Sequence, residues 1–229
     1  MTSLTVIVPV FNEEKTVQES LSRLDSVDIV SKIVIVDDCS SDNSNILIQE
    51  FIEDKNKYLL LKTNNNSGKG KAIEKAQEYI DTDYVAIHDA DLEYYPEDFY
   101  SMYEKIDKNN LVLGSRFIGN LKRNNFYSRT LFANYFLSKL FSMIYKNRVT
   151  DVASCYKMIP TEYFKKIKIE SSGFEFEIEV LAKYLNISNK ISEVPIKYSG
   201  RSYAEGKKIK TIDGFKYIYW MFKCKKWKI

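Results

Sequence analysis

Histidine is nearly missing from this 229-residue chain, which has one, His88. Sites built from several histidines are thereby excluded, and any histidine-based triad has a single candidate, with no Gly-x-Ser-x-Gly beside it. His88 reads as a strand-end residue near the site, a catalytic role being the minor alternative. Cysteine is also scarce. Cys39, Cys155 and Cys224 are an odd number at wide spacing, which gives neither a disulfide framework nor a zinc pattern and fits a reducing compartment. No stretch reaches the ~18 uncharged apolar residues of a membrane span; the nearest, residues 126–145, is broken by Arg129 and Lys139. Residues 1–5 lack the basic region and apolar stretch of a signal peptide, so a cytoplasmic location is expected. Internal repeats, low-complexity stretches and linkers are absent as well. Gly68-Lys69-Gly70-Lys71-Ala72 lacks both the P-loop and the dinucleotide spacing, which removes kinase-like and dehydrogenase readings. It stays open as a phosphate site at a helix N-terminus or as a flexible turn.

What is present fits one soluble domain, with 45% hydrophobic and 28% charged residues. Charge is uneven: residues 197–229 carry +8 and the remainder −5, for +3 overall. A basic end on a mildly acidic body points to a phosphate-bearing partner, a membrane surface or nucleic acid, with a solvated lysine-rich face as the plain alternative. Apolar runs at 4–8, 33–36, 58–61, 84–87 and 111–113 lack polar alternation, as strands buried on both faces do. Helical patterns at 15–24, 44–54, 71–80 and 96–105 lie between them. The alternation predicts an α/β fold, a mostly parallel sheet with helices on both faces. Further helices are predicted at 126–145, 173–185 and 213–227, and a strand at 191–198.

The strand endings are polar. The first runs into Pro9-Val10-Phe11-Asn12-Glu13, the second into Asp37-Asp38, the fourth into His88-Asp89-Ala90-Asp91-Leu92-Glu93 and the fifth into Gly114-Ser115-Arg116. Ligands of open α/β sheets bind at such carboxyl ends. Asp89 and Asp91, one residue apart on extended chain, project to one side and can hold a hard divalent cation while diphosphate oxygens complete its shell. Asp81-Thr82-Asp83 has the same spacing but precedes a strand, where a cap or turn accounts for it. Asp37-Asp38 reads equally as a base or ribose ligand and as a solvated turn. Arg116, Arg129 and Arg201 have the planar fork that suits bidentate phosphate binding.

In order along nearly the whole chain, these stretches, with Asp151 through Lys157, Gly173-Phe174-Glu175-Phe176-Glu177, Glu193-Val194-Pro195-Ile196 and Gly200-Arg201-Ser202-Tyr203-Ala204-Glu205-Gly206-Lys207, resemble the family-2 glycosyltransferases, and within them the polyprenyl-phosphate sugar synthases. The resemblance implies a GT-A fold over residues 1–205, followed by a basic aromatic extension, 206–229. It implies that Pro9, Phe11, Glu13 and Asp37 contact the nucleoside. Asp89 and Asp91 would bind the diphosphate and Mg2+ or Mn2+, with Ala90 and Lys69 in the donor set and Glu93 close to the metal. Arg116, Arg129 and Arg201 would face the transferred groups and the acceptor phosphate, with Lys207 in the same region.

The implied partners are a nucleotide-sugar donor and a polyprenyl phosphate, met at the cytoplasmic membrane face. Two departures stand out. Mannose synthases commonly have Gln where this chain has Glu93, and many relatives have C-terminal membrane spans that this chain lacks. The helices at 126–145 and 213–227 could lie in the membrane interface instead, or simply pack on the domain. A family-2 transferase acting on a hydroxyl is the alternative. It needs a general base, for which Asp151 is the candidate. A pyrophosphorylase would need a glycine-rich basic loop after the first strand, where this chain is acidic. Nucleic acid is not expected, because acidic strand ends would repel its phosphates.

Overall fold

The computed structural model describes residues 3–119, 123–124, 128–188, 190–201 and 211–228. Seven strands form one sheet: β1 (Leu4–Val10), β2 (Val30–Asp37), β3 (Tyr58–Lys62), β4 (Tyr84–Ile87), β5 (Leu111–Ser115), β7 (Lys157–Pro160) and β8 (Ile191–Pro195), in the order β3-β2-β1-β4-β7-β5-β8. Only β7 runs against its neighbours β4 and β5, so the sheet is mostly parallel, as the alternation of patterns predicts. A small second sheet pairs β6 (Arg123–Asn124) with β9 (Tyr198–Ser199). β4 and β5 are buried at every position. Burial on both faces is what removes polar alternation from their sequences. Pro9, which has no amide to donate, falls beyond Ile7, the last β1 residue paired with β4.

Helices cover the sheet. α1 (Val17–Asp25) buries Val17, Leu21 and Leu24, one stripe at helical spacing. α2 (Ser44–Ile52) packs on α1 and β3, α3 (Lys69–Ala76) on β1 and β2, and α4 (Asp98–Lys105) on β5 and β8. α5 (Ser128–Tyr145) is long. α6 (Thr161–Lys166) lies against β4 and β7, α7 (Phe176–Ile187) is buried from Phe176 to Leu185, and α8 (Thr211–Lys225) packs on α7 and α5.

The differences from expectation are local. β7 and α6 were not foreseen, because Lys-Met-Ile-Pro carries an ammonium and a proline into a central strand. Lys157 is nonetheless fully buried, its charge met by Glu177. The strand expected at 191–198 divides after Pro195 into β8 and β9, with the Lys197 amide donating to Asp98 Oδ2 at 2.7 Å. The expected boundary at residue 205 lies outside the described residues. α8 itself buries Tyr217, Trp220, Met221 and Cys224. Among the described residues no helix is long and apolar enough to cross a membrane.

Candidate active site

The carboxyl ends of β1, β2 and β4 open into a cleft of about 260 Å3. β1 lies between β2 and β4, so chain order reverses beside it, where open α/β sheets leave a crevice. Asn12, Cys39 and Leu92, in the loops after these strands, have φ of 52°, 60° and 64°. Left-handed backbone is uncommon for such side chains and marks loops held in a required shape.

Pro9, Phe11 and Glu13 line the cleft, together with Asp38. Asp37 is fully buried, and its oxygens hold the loop after β2 and the start of α2: the Ser40 amide donates to Oδ1 (3.0 Å) and Asn45 Nδ2 to Oδ2 (2.8 Å). Asp38 accepts from Thr63 Oγ1 (2.9 Å) and from the amides of Ser67 (3.0 Å) and Gly68 (2.6 Å), which ties that loop to the start of α3. That start is closely packed rather than a flexible turn. A Cβ on Gly68 or Gly70 would lie 2.3 Å from the carbonyl oxygen of Ser172 or Ser171, respectively.

Packing on Ser171 and Ser172 fixes α3 so that Lys69 reaches the cleft. Its Nζ lies 2.7 Å from Asp89 Oδ1 and 2.8 Å from Glu177 Oε1. Glu177 is also paired with Lys157, giving a chain of alternating sign that runs from the cleft into the core: Asp89, Lys69, Glu177, Lys157. Burial pushes the Asp89 carboxyl up, but the Lys69 ammonium overrides it and holds the acid below the usual carboxylate range. Asp91 goes the other way. Burial, then the charges of Glu93 and Asp89, push it up to about 7, and Arg201 only partly offsets them. Arg201 Nη2 lies 2.9 Å from Asp91 Oδ2 and Nη1 3.1 Å from Glu13 Oε2. Among the described residues no three His, Cys, Asp or Glu side chains converge to hold a metal by themselves. Hard oxygen donors with negative charge in excess at Asp91 do fit a divalent cation that shares its shell with a diphosphate.

Glu93, expected near the metal, has both oxygens in protein hydrogen bonds, from Tyr198 Oη (2.5 Å) and the Arg201 amide (2.7 Å). Arg116 is buried and held bidentately by Asp151, Nε to Oδ2 at 2.7 Å and Nη2 to Oδ1 at 2.8 Å. Asp151 is itself fully buried and also accepts from the Arg116 amide at 3.0 Å. Arg116 and Arg201 line the same cleft, as does Ala90. Arg129 opens α5, but its side chain lies outside the described residues, as does Lys207.

His88 is buried beneath the cleft, with Nδ1 2.9 Å from Tyr156 Oη and Nε2 3.0 Å from Ser20 Oγ. Burial lowers its pKa to about 4. Sequence reasoning missed the pairing of Glu177 with Lys69, and Tyr198 and Tyr217, which β9 and α8 bring to the cleft. Acids at 175, 177 and 179 signalled only a helix N-terminus, and Tyr198 and Tyr217 gave no signal at all.

The profile of Glycosyl transferase family 2 matches residues 5–168. The chain is 26% identical over 230 residues to a dolichol-phosphate mannosyltransferase of Pyrococcus furiosus, covering 98% of this chain and 64% of that protein. It is 25% identical over 207 residues to an undecaprenyl-phosphate mannosyltransferase of Micrococcus luteus, covering 88% of this chain and 85% of the relative. Among solved structures, the glucosyl-3-phosphoglycerate synthase of Mycobacterium tuberculosis, in complex with Mn2+, uridine diphosphate and glucosyl-3-phosphoglycerate, superposes with a TM-score of 0.71 at 16% identity, covering 97% of this chain and 80% of that one. That likeness shows the GT-A fold. The chain belongs to glycosyl transferase family 2.

Proposed function

We propose that the chain moves a hexose, with inversion, from a nucleotide-diphospho-sugar to a polyprenyl phosphate at a membrane surface. The observation that carries this reading is one cleft with acids and Lys69 at the strand ends and a buried, pre-oriented Arg116 beside them. Pro9, Phe11 and Glu13 would take the nucleoside, with Asp37 shaping the neighbouring loop. Asp89 and Asp91 would hold Mg2+ or Mn2+, which supplies charge neutralisation for the departing diphosphate. Lys69 adds a fixed positive charge at the same end. Arg116 and Arg201, with Arg129 and Lys207, would receive the acceptor phosphate. One acceptor oxygen bonds to the anomeric carbon as the bond from that carbon to the donor diphosphate breaks. The nucleoside diphosphate leaves with the electron pair.

A phosphate acceptor is already an anion, so no base is required. A hydroxyl acceptor would need one, and Asp151, with both oxygens taken by Arg116, is poorly placed to serve. The names of the Pyrococcus and Micrococcus relatives support the lipid phosphate. A membrane surface is supported by an exposed aromatic face: Phe132, Tyr135 and Phe136 on α5 and Phe215, Tyr219 and Phe222 on α8, beside Lys216, Lys223 and Lys226.

The test is a panel of UDP- and GDP-sugars with undecaprenyl or dolichyl phosphate and Mn2+ or Mg2+, reading released nucleotide and lipid product. Transfer that depends on the lipid phosphate and is lost in Asp91→Ala is expected. Near-normal transfer by Asp91→Ala sinks the reading, and turnover indifferent to lipid phosphate favours the hydroxyl acceptor.

A further inference from the structure

Two short segments meet over the cleft, one after β4 and one after β8. Glu93 joins them. Its Oε2 accepts the Tyr198 hydroxyl at 2.5 Å, its Oε1 accepts the Arg201 amide at 2.7 Å, and its carbonyl accepts the Ser199 amide at 2.9 Å. Tyr94 and Tyr198 form an isolated bridge between the same segments. Tyr198 serves two masters. Its hydroxyl is spent on Glu93, and its ring lies under the Arg116 guanidinium, 4.9 Å from the centroid. A continuous line therefore runs Asp151, Arg116, Tyr198, Glu93, Arg201 and then Asp91 and Glu13.

Arginine side chains are long, and ordering one on binding costs rotamer entropy. A site that holds them beforehand keeps that cost out of the chemical step. Glu93 is suited to this. It is buried, and a buried carboxylate is stable only when its oxygens are satisfied; here tyrosine and backbone satisfy them. An acid so engaged ties the two segments to each other.

We propose that Glu93 and Tyr198 form a clasp whose task is positioning. It fixes the Arg201 segment over the strand-end carboxylates and holds Arg116 at a set distance from Arg201. The catalytic consequence rests on the transfer reaction proposed above, whereas the clasp itself can be tested without turnover.

The experiment uses the full chain and Tyr198→Phe, Glu93→Gln and Glu93→Ala. Amide hydrogen exchange of the segment 198–201 is read without ligand, where local opening sets the rate. Tyr198→Phe and Glu93→Ala should speed it by about 10-fold or more while the sheet amides stay protected. Glu93→Gln keeps an acceptor for the Arg201 amide and should stay within about 3-fold of the unmutated chain. Nucleotide release from the active donor with undecaprenyl phosphate is read against Mn2+ concentration. A fall in kcat of about 10-fold in Tyr198→Phe, with donor KM and half-saturating Mn2+ within about 2-fold, is expected of a positioning pair. Unchanged exchange in both Tyr198→Phe and Glu93→Ala overturns the clasp. So does a rise of more than about 5-fold in half-saturating Mn2+ for Glu93→Gln, which would make Glu93 a metal ligand. No turnover by the unmutated chain overturns the transfer reading, and exchange then decides the clasp.

Discussion

Lys69 Nζ bridges Asp89 and Glu177, at 2.7 Å and 2.8 Å, so one ammonium joins the acid at the end of β4 to the first turn of α7. Glu177 is the hinge of this arrangement, since it also meets the fully buried Lys157. Glu177→Gln would leave that ammonium buried without its carboxylate partner, met only by neutral acceptors such as the Ser154 carbonyl. Removing one partner of a buried pair costs about 3 kcal/mol or more, far above the typical exposed pair. Urea unfolding should show a loss of that order, whereas Glu19→Gln, at the exposed pair with Arg23, should cost under about 1 kcal/mol.

Asp151 and Arg116 give a second prediction. Asp151→Asn removes the charge that fixes the arginine fork but leaves a side chain of equal size. Stability should fall by about 3 kcal/mol, and acceptor KM should rise about 10-fold. The pH profile of kcat should keep its shape, because a positioning residue takes no proton. Loss of the profile's acidic limb would restore Asp151 as a base.

Gly70 reverses a familiar substitution. Alanine in a helix ordinarily gains about 1 kcal/mol over glycine. At Gly70 a Cβ would lie 2.3 Å from the Ser171 carbonyl oxygen and 2.9 Å from its carbon, both backbone atoms that cannot yield alone. Gly70→Ala should destabilise by about 2 kcal/mol or more in thermal or urea unfolding, and move Lys69 from Asp89.

His88 supplies a pH dependence. Burial lowers its pKa from 6.5 to about 4. Between those values the unfolded chain binds the proton and the native protein does not, so stability rises with pH through this window and falls on acidification. Outside the window this group contributes no slope. The full span is about 3 kcal/mol. Unfolding free energies at pH 7 and pH 4.5 should differ by less in His88→Gln than in the unmutated chain.

The exposed aromatics of α8 sit at 215, 219 and 222, one stripe, while Tyr217, Trp220, Met221 and Cys224 form the stripe that packs inward. Replacing Phe215, Tyr219 and Phe222 by Ser should weaken co-sedimentation with phosphatidylglycerol vesicles by about 10-fold or more, with the melting temperature held within about 2 °C. Equal sedimentation by the triple variant would remove the membrane from the proposed function.

The sequence by itself determined the α/β class, most strand and helix positions, and the polar strand endings at Glu13, Asp38, Asp89 and Arg116. These depend on local periodicity and on the rule that ligands gather at strand ends, which need no partner to be known. It could not determine β7, because a lysine in a central strand is intelligible only beside Glu177, twenty residues on and on another element. Nor could it divide Asp37 from Asp38. One turns inward to Ser40 and Asn45 and the other toward the cleft, an outcome of backbone geometry around Cys39. The tertiary structure alone decided which donors each acid of the site holds. Asp151 is taken by Arg116 and Glu93 by Tyr198 and Arg201, since a carboxylate's role is set by the donors that reach it, and those come from strands far apart in the chain.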